Sequence, residues 1–237
     1  VTKRDAGADH ADSDVNSATN LTPLTDLLGN EDDRTWDLGL VRFASLGDFV
    51  WFDDNDNGMQ DSGEAPVSGM TVRLFSEAGA LVGETATDSN GGYRFDSLLP
   101  GRYSVEFVLP SGSAFSATDQ GGVDSNDSDA NINTGQTVVI ELTSGEHDPS
   151  WDAGVVRLGS LGDRLWWDTN TNGVQDSGEP GVPGMRVVLL RSDGTIVAET
   201  KTDGDGRYEF TNLRPGEYTV WFAEIPMNRV FTGQDKG

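Results

Sequence analysis

Alternation, not helical periodicity, organises this chain. Tyr103, Val105 and Phe107 alternate with Arg102, Ser104 and Glu106, and Tyr218, Val220 and Phe222 repeat the pattern. A period of two marks a strand with one buried face. Met70, Val72 and Leu74 fall on one face of a segment over 69–75, and 47–52 is short, aromatic and β-branched. Segments 137–142 and 151–157 add further strands. Turns are marked by Glu77-Ala78-Gly79, Ser89-Asn90-Gly91-Gly92 and Pro100-Gly101. No run of a dozen residues carries helical periodicity. The pattern predicts an all-β chain of tandem Greek-key β-sandwiches, Ig-like in outline, with about seven short strands per unit.

The tandem arrangement is written in an internal repeat. Ser45-Leu46-Gly47-Asp48-Phe49-Val50-Trp51 returns as Ser160-Leu161-Gly162-Asp163-Arg164-Leu165-Trp166, an offset of 115 residues. Gly69-Met70 returns as Gly184-Met185, Trp36-Asp37 as Trp151-Asp152, and Asp9, Asp12 and Asp14 as Asp124, Asp127 and Asp129. A repeat of this length means tandem domains rather than a solenoid. Residues 1–43 read as the C-terminal part of a preceding unit, 44–157 as a complete unit, and 158–237 as a second unit lacking its C-terminal strands. Chain start and chain end then share nearly one phase of the repeat. Excision from a longer array explains this; so does head-to-tail complementation, a heterologous contact that propagates into a filament.

Chemistry enters at one twelve-residue segment in each unit. Asp53-Asp54-Asn55-Asp56-Asn57-Gly58-Met59-Gln60-Asp61-Ser62-Gly63-Glu64 corresponds to Asp168-Thr169-Asn170-Thr171-Asn172-Gly173-Val174-Gln175-Asp176-Ser177-Gly178-Glu179. Oxygen-bearing side chains at positions 1, 3, 5, 9 and 12, with Gly at 6, match an EF-hand-type calcium loop, whose position 7 adds a backbone carbonyl. The expected ligands are Asp53, Asn55, Asn57, Met59 (carbonyl), Asp61 and Glu64, and Asp168, Asn170, Asn172, Val174 (carbonyl), Asp176 and Glu179. A strand enters each loop and a Pro- and Gly-bearing segment leaves it, so the flanking helices of an EF-hand proper are not expected. Three acids among five side-chain ligands imply modest affinity, near the ~10⁻⁴–10⁻³ M of extracellular modules.

Composition sharpens this reading. Acidic residues outnumber basic ones 40 to 16, a formal charge of −24. Such a field repels phosphates and argues against nucleic acid. The absence of cysteine removes thiolate sites and disulfides, and two histidines, His10 and His147, leave little for zinc or for a catalytic triad. Ca²⁺ is the cofactor that the oxygen ligands suit, and it favours an extracellular, secreted or cell-surface setting. No apolar run long enough for membrane insertion and no signal peptide are seen. An enzyme is not expected.

Weaker metal candidates surround the loops. The acidic segments holding Asp9, Asp12 and Asp14, and Asp124, Asn126, Asp127 and Asp129, recur at matched positions and could form a second site, closed by Asp37 or Asp152. A solvated acidic loop is the bland alternative. Asp48 and Asp163 could reach the loop cation or cap the strand start. Asp88 with Asn90, and Asp203 with Asp205, sit where turn chemistry explains them adequately. Trp51, Trp166 and Trp167 read as packing residues rather than as a sugar-stacking platform.

Taken together, Gly-Asp-x-x-Trp, the loop, Thr87-Asp88-Ser89-Asn90-Gly91-Gly92-Tyr93-Arg94-Phe95 (with Thr202 to Phe210) and Leu99-Pro100-Gly101-Arg102-Tyr103 (with Arg214 to Tyr218) closely resemble the SdrD B-like repeat of bacterial serine-aspartate repeat surface proteins. The resemblance spans nearly the whole chain. It implies a calcium-binding branch of the Cna-B-type, prealbumin-like β-sandwich, used as a rigid stalk. Many Cna-B-like domains carry a Lys–Asn or Lys–Asp isopeptide bond. Here only Lys3, Lys201 and Lys236 occur and none lies in a first strand, so no such bond is expected. The expected function is a calcium-stabilised structural repeat, a stalk or a self-assembling filament subunit whose partners are calcium, neighbouring repeats or itself. The alternative is an adhesin or a carbohydrate- or host-protein-binding module.

Overall fold

The computed structural model describes residues 13–30, 32–122, 124–223 and 230–232. Asp9, Asp12, His10, Lys3, Lys236 and most of the chain-end match lie outside the described residues, as does the side chain of Asp124. Among the described residues the protein is all-β, its one helical element being a 3₁₀ turn at Asp124–Asn126.

The first unit holds ten short strands: β1 (Ala44–Leu46), β2 (Val50–Phe52), β3 (Thr71–Ser76), β4 (Leu81–Ala86), β5 (Phe95–Leu98), β6 (Gly101–Phe107), β7 (Ser113–Phe115), β8 (Ile140–Leu142), β9 (His147–Asp148) and β10 (Ala153–Arg157). Three sheets result, ordered β4-β3-β6-β8, β5-β1-β9 and β2-β10-β7. The strand expected over 47–52 is strand only at Val50–Phe52, and a separate strand, β1, precedes the expected range at Ala44–Leu46. Gly47 has φ of 147°, and a Cβ there would lie 2.3 Å from the Tyr93 carbonyl oxygen, so the backbones meet only because this residue is glycine. Ten short strands stand where about seven were expected.

The alternating faces behave as expected. Met70, Val72, Leu74, Val105 and Phe107 are buried together with Leu46, Val50 and Ile140. Each such side chain contributes about 1.5–3 kcal/mol relative to exposure. Tyr93 meets Phe95 and Phe107 edge-on, with centroids 6.1 and 5.5 Å apart. Its hydroxyl donates to the Trp151 carbonyl at 2.6 Å. The C-terminal strands close the unit by returning beside its start, β9 parallel to β1 and β10 parallel to β2. Trp51 is fully buried, which makes it a packing residue.

The second unit holds β11 (Gly159–Arg164), β12 (Arg186–Arg191), β13 (Ile196–Lys201), β14 (Arg207–Leu213) and β15 (Tyr218–Ala223). They pair as β13-β12-β15 and β11-β14. Its described residues include no counterparts of β7 to β10. Its buried cluster comprises Val187, Leu189, Phe210 and Leu213, while Tyr208 and Leu161 are only partly covered. Only Leu158 separates β10 from β11.

Segment 13–43 repeats the hydrogen bonds of the end of the first unit without its sheets. The Asp37 N–H donates to Asp14 Oδ2 at 3.0 Å, as that of Asp152 donates to Asp129 Oδ2 at 2.7 Å. Trp36 Nε1 donates to Asp33, as Trp151 Nε1 does to Asp148.

Candidate metal centre

The two loops share one geometry, bond for bond. Asp53 Oδ1 and Oδ2 accept from the N–H groups of Asn57 and Gly58, at 3.1 and 2.8 Å. Asp168 does the same with Asn172 and Gly173, at 3.2 and 2.9 Å. This fixes the turn that Gly58 and Gly173 make at φ of 78° and 80°. Asn57 Oδ1 accepts from the Met59 N–H, and Asn172 Oδ1 from that of Val174. Glu64 spans its loop by accepting from Asp54 and Asp61 N–H, and Glu179 by accepting from Thr169 and Asp176.

The side chains converge within each ring. Asn55 Nδ2 and Asn57 Nδ2 both donate to Asp61 Oδ2 at 2.8 Å, and Asn170 and Asn172 both donate to Asp176 Oδ2 at 2.7 Å. These bonds hold the Asp61 carboxyl below its ordinary range. Burial, followed by the nearby charges of Asp53 and Asp61, drives Glu64 the other way, upward, against two backbone donors. Two amides thus supply positive charge to a carboxylate inside a ring of oxygens. A hard cation would supply more of it, and each amide also carries an oxygen for that ion. The donor set fits calcium. Among the described residues no three Asp, Glu, His or Cys side chains cluster as a metal site, so the carboxylates of Asp53, Asp61 and Glu64 do not converge as a set.

Loop 1 is locked to the rest of its unit. The Asp53 N–H donates to the Val155 carbonyl in β10. Gly58 and Gln60 pair with Ser128 and Asn126, and Met59 bridges Asp127. The loop and the acidic segment expected to form a second site are therefore neighbours. Asp53 is fully buried, while Asp168 is only partly so.

A second acidic group lies behind that segment. Asp152 accepts the Phe49 N–H on Oδ1 at 3.1 Å, and its buried Oδ2 has no partner among the described residues. Burial, then the charge of Asp48, with Asp129 and Asp127 adding, pushes its carboxyl up to about 9. Burial also raises Asp48 to about 6, opposed by His147. Asp48 thus belongs electrostatically with Asp152, His147 and Asp148 rather than with the loop. A fully buried Tyr93 hydroxyl is raised by burial and by Asp152, Asp129 and Asp48.

Other candidates take turn roles. Asp88 Oδ1 accepts from the N–H groups of Asn90 and Gly92, and Asp203 Oδ1 from those of Asp205 and Arg207. Asp163 lies beside Tyr208, whose hydroxyl is raised by burial and by that charge. A cleft of about 1190 Å³ is lined by Asp163, Glu179, Arg207 and Tyr208. The matching surface of the first unit is covered by residues 147–152, through Ser45–His147, Phe49–Asp152 and Tyr93–Trp151 bonds.

Two arginines that the sequence reading did not single out bond loop 1. Arg157 donates to Asp54 at 2.5 Å and lies 4.7 Å over the Phe52 ring. Arg214 donates to both oxygens of Asp56 at 2.6 Å. The available signal was the acid at even loop positions in loop 1, where loop 2 has Thr169 and Thr171.

These sandwiches, with one such loop in each, define a tandem repeat of one domain type. The chain belongs to the SdrD B-like domain family, whose family model matches residues 44–155 and 159–237. It is 35% identical over 226 residues to serine-aspartate repeat-containing protein F of Staphylococcus epidermidis, covering 94% of this chain and 13% of that protein. It is 37% identical over 218 residues to serine-aspartate repeat-containing protein D of Staphylococcus aureus, covering 91% of this chain and 16% of that one. The chain thus spans about a seventh of these curated relatives. Among solved structures, the Bacillus anthracis TIE protein matches at 18% identity and a TM-score of 0.39, over 78% of this chain and 29% of that one. The minor pilin of Streptococcus agalactiae matches at 13% identity and 0.37, over 78% and 84%.

Proposed function

We propose that this chain is a calcium-stapled structural repeat of an extracellular, cell-surface protein, holding other domains at a distance rather than performing catalysis. The observation that carries the reading is the pair of loops in which oxygen side chains converge with one bonding pattern on a non-helical scaffold. A cation bound there joins the loop to the sheet edge and cancels carboxylate repulsion, so occupancy adds directly to stability. Asp127, Asp129, Asp152 and Asp48 are the residues that would hold a second ion, which would relieve the partnerless Asp152 oxygen. The family and the serine-aspartate repeat relatives support the surface setting. Calcium titration by calorimetry, with native mass spectrometry to count ions, tests the reading. Two or more ions per chain are expected. No uptake at millimolar calcium removes it.

Self-assembly is a second reading, favoured by the open cleft of the second unit. The matching surface of the first unit bonds its own residues 147–152, and Trp36-Asp37 matches Trp151-Asp152. In this reading a second copy fills the cleft and builds a filament. Sedimentation velocity with calcium should then show species that grow with concentration; a monomer throughout would refute it.

A further inference from the structure

Loop 1 has two kinds of position. Positions 3, 5 and 9 carry side chains that meet inside the ring, while Asp54 and Asp56, at positions 2 and 4, bond arginines outside it. Asp56 takes a left-handed conformation at φ of 60°. Arg214, in the turn after β14 of the second unit, grips it with two parallel bonds of 2.6 Å and donates a third, at 2.8 Å, to the Phe115 carbonyl at the end of β7. The pair is not an ordinary surface bridge, which would count for little. The side chains are only 28% and 16% exposed, and the fork is bidentate. Asp56, together with Asp53, raises the Arg214 guanidinium further. Arg157, at the end of β10 and so at the hinge itself, holds Asp54.

We propose that loop 1 docks the following unit through its positions 2 and 4, with Arg214 as the latch that sets the angle between the two units. The partner that fits such a loop is a repeat with arginine just before the Pro-Gly turn. The chain contains its own contrast. Loop 2 has Thr169 and Thr171 at the docking positions, and the residue matching Arg214 in the first unit is Leu99, 56% exposed. This latch therefore belongs to one junction and not to every repeat. Because the docking and ligand positions share one short loop, ordering that loop with a cation also orders the latch. That coupling rests on the calcium reading; the latch itself does not.

The test uses the whole chain, which has no cysteine of its own. Cysteines replacing the exposed Val82 and Val197 carry one spin label per unit, and pulsed dipolar spectroscopy reads the distance distribution. With calcium present, Arg214→Gln and Asp56→Asn should each broaden the distribution at least twofold, and the double variant no further. A width unchanged in Arg214→Gln overturns the latch. Chelator should broaden the unsubstituted protein as well. If calcium binds by calorimetry and chelator leaves the width unchanged, the coupling is wrong. If calcium does not bind at all, the calcium reading fails while the Arg214→Gln comparison still decides the latch.

Discussion

Replacing Asp152 by Asn tests the buried acidic group, and the outcome should reverse with calcium. In metal-free protein the Asp152 carboxyl titrates near 9, against 3.8 when unfolded. Between those values the folded state holds a proton that the unfolded state has released. Its stability is therefore fully present below about pH 4 and declines as pH rises toward 9. The slope is about 1.4 kcal/mol per pH unit for one group, so at pH 7 the deficit is at most on the order of 4 kcal/mol. Asn keeps the Oδ1 acceptor for the Phe49 N–H and removes the titration. Urea unfolding in chelator at several pH values from 5 to 9 should show Asp152→Asn gaining about 2–4 kcal/mol at pH 7, with a flatter pH profile. In calcium the gain should shrink or invert, because the variant gives up a charged oxygen. A variant with the parent's pH slope in chelator, or one less stable throughout, refutes the argument.

Further outcomes follow from individual contacts. Tyr93→Phe loses the bond to the Trp151 carbonyl and should cost about 1–2 kcal/mol in chemical denaturation, whereas Tyr208→Phe should cost under about 0.5 kcal/mol. Gly58→Ala puts a Cβ 2.5 Å from the Ala117 carbonyl oxygen at positive φ. It should destabilise by about 1–3 kcal/mol, read by thermal unfolding. Glu64→Gln and Glu179→Gln should each weaken calcium uptake roughly tenfold at one loop in calorimetry, leaving the other loop unchanged.

Much of this structure was legible in the chain because its determinants are local. The alternation at 102–107 and 70–74 reports a buried face directly, and the loop residues that bond one another lie within twelve residues of each other. Turn chemistry at Asp88 and Asp203 was equally local. What escaped depends on distant partners. Asp48 and Asp152 meet only because β9 and β10 return beside β1 and β2. Arg214 finds Asp56 across 158 residues and a unit boundary. The close approach of Tyr93 to Gly47 likewise joins residues far apart in the chain, which no local pattern announces.

The most direct test of the central claim is a thermal melt of the whole chain in chelator and in excess calcium. At a hundredfold excess over the dissociation constant, binding to one site adds about 2.7 kcal/mol. For domains of this size that corresponds to a rise of roughly 10–20 °C. With the tenfold weakening expected of each substitution, a loop's contribution should fall from about 2.7 to about 1.4 kcal/mol, so the rise should shrink in Glu64→Gln and shrink further in the double variant with Glu179→Gln. A melting temperature indifferent to calcium, with both loops intact, would contradict the account.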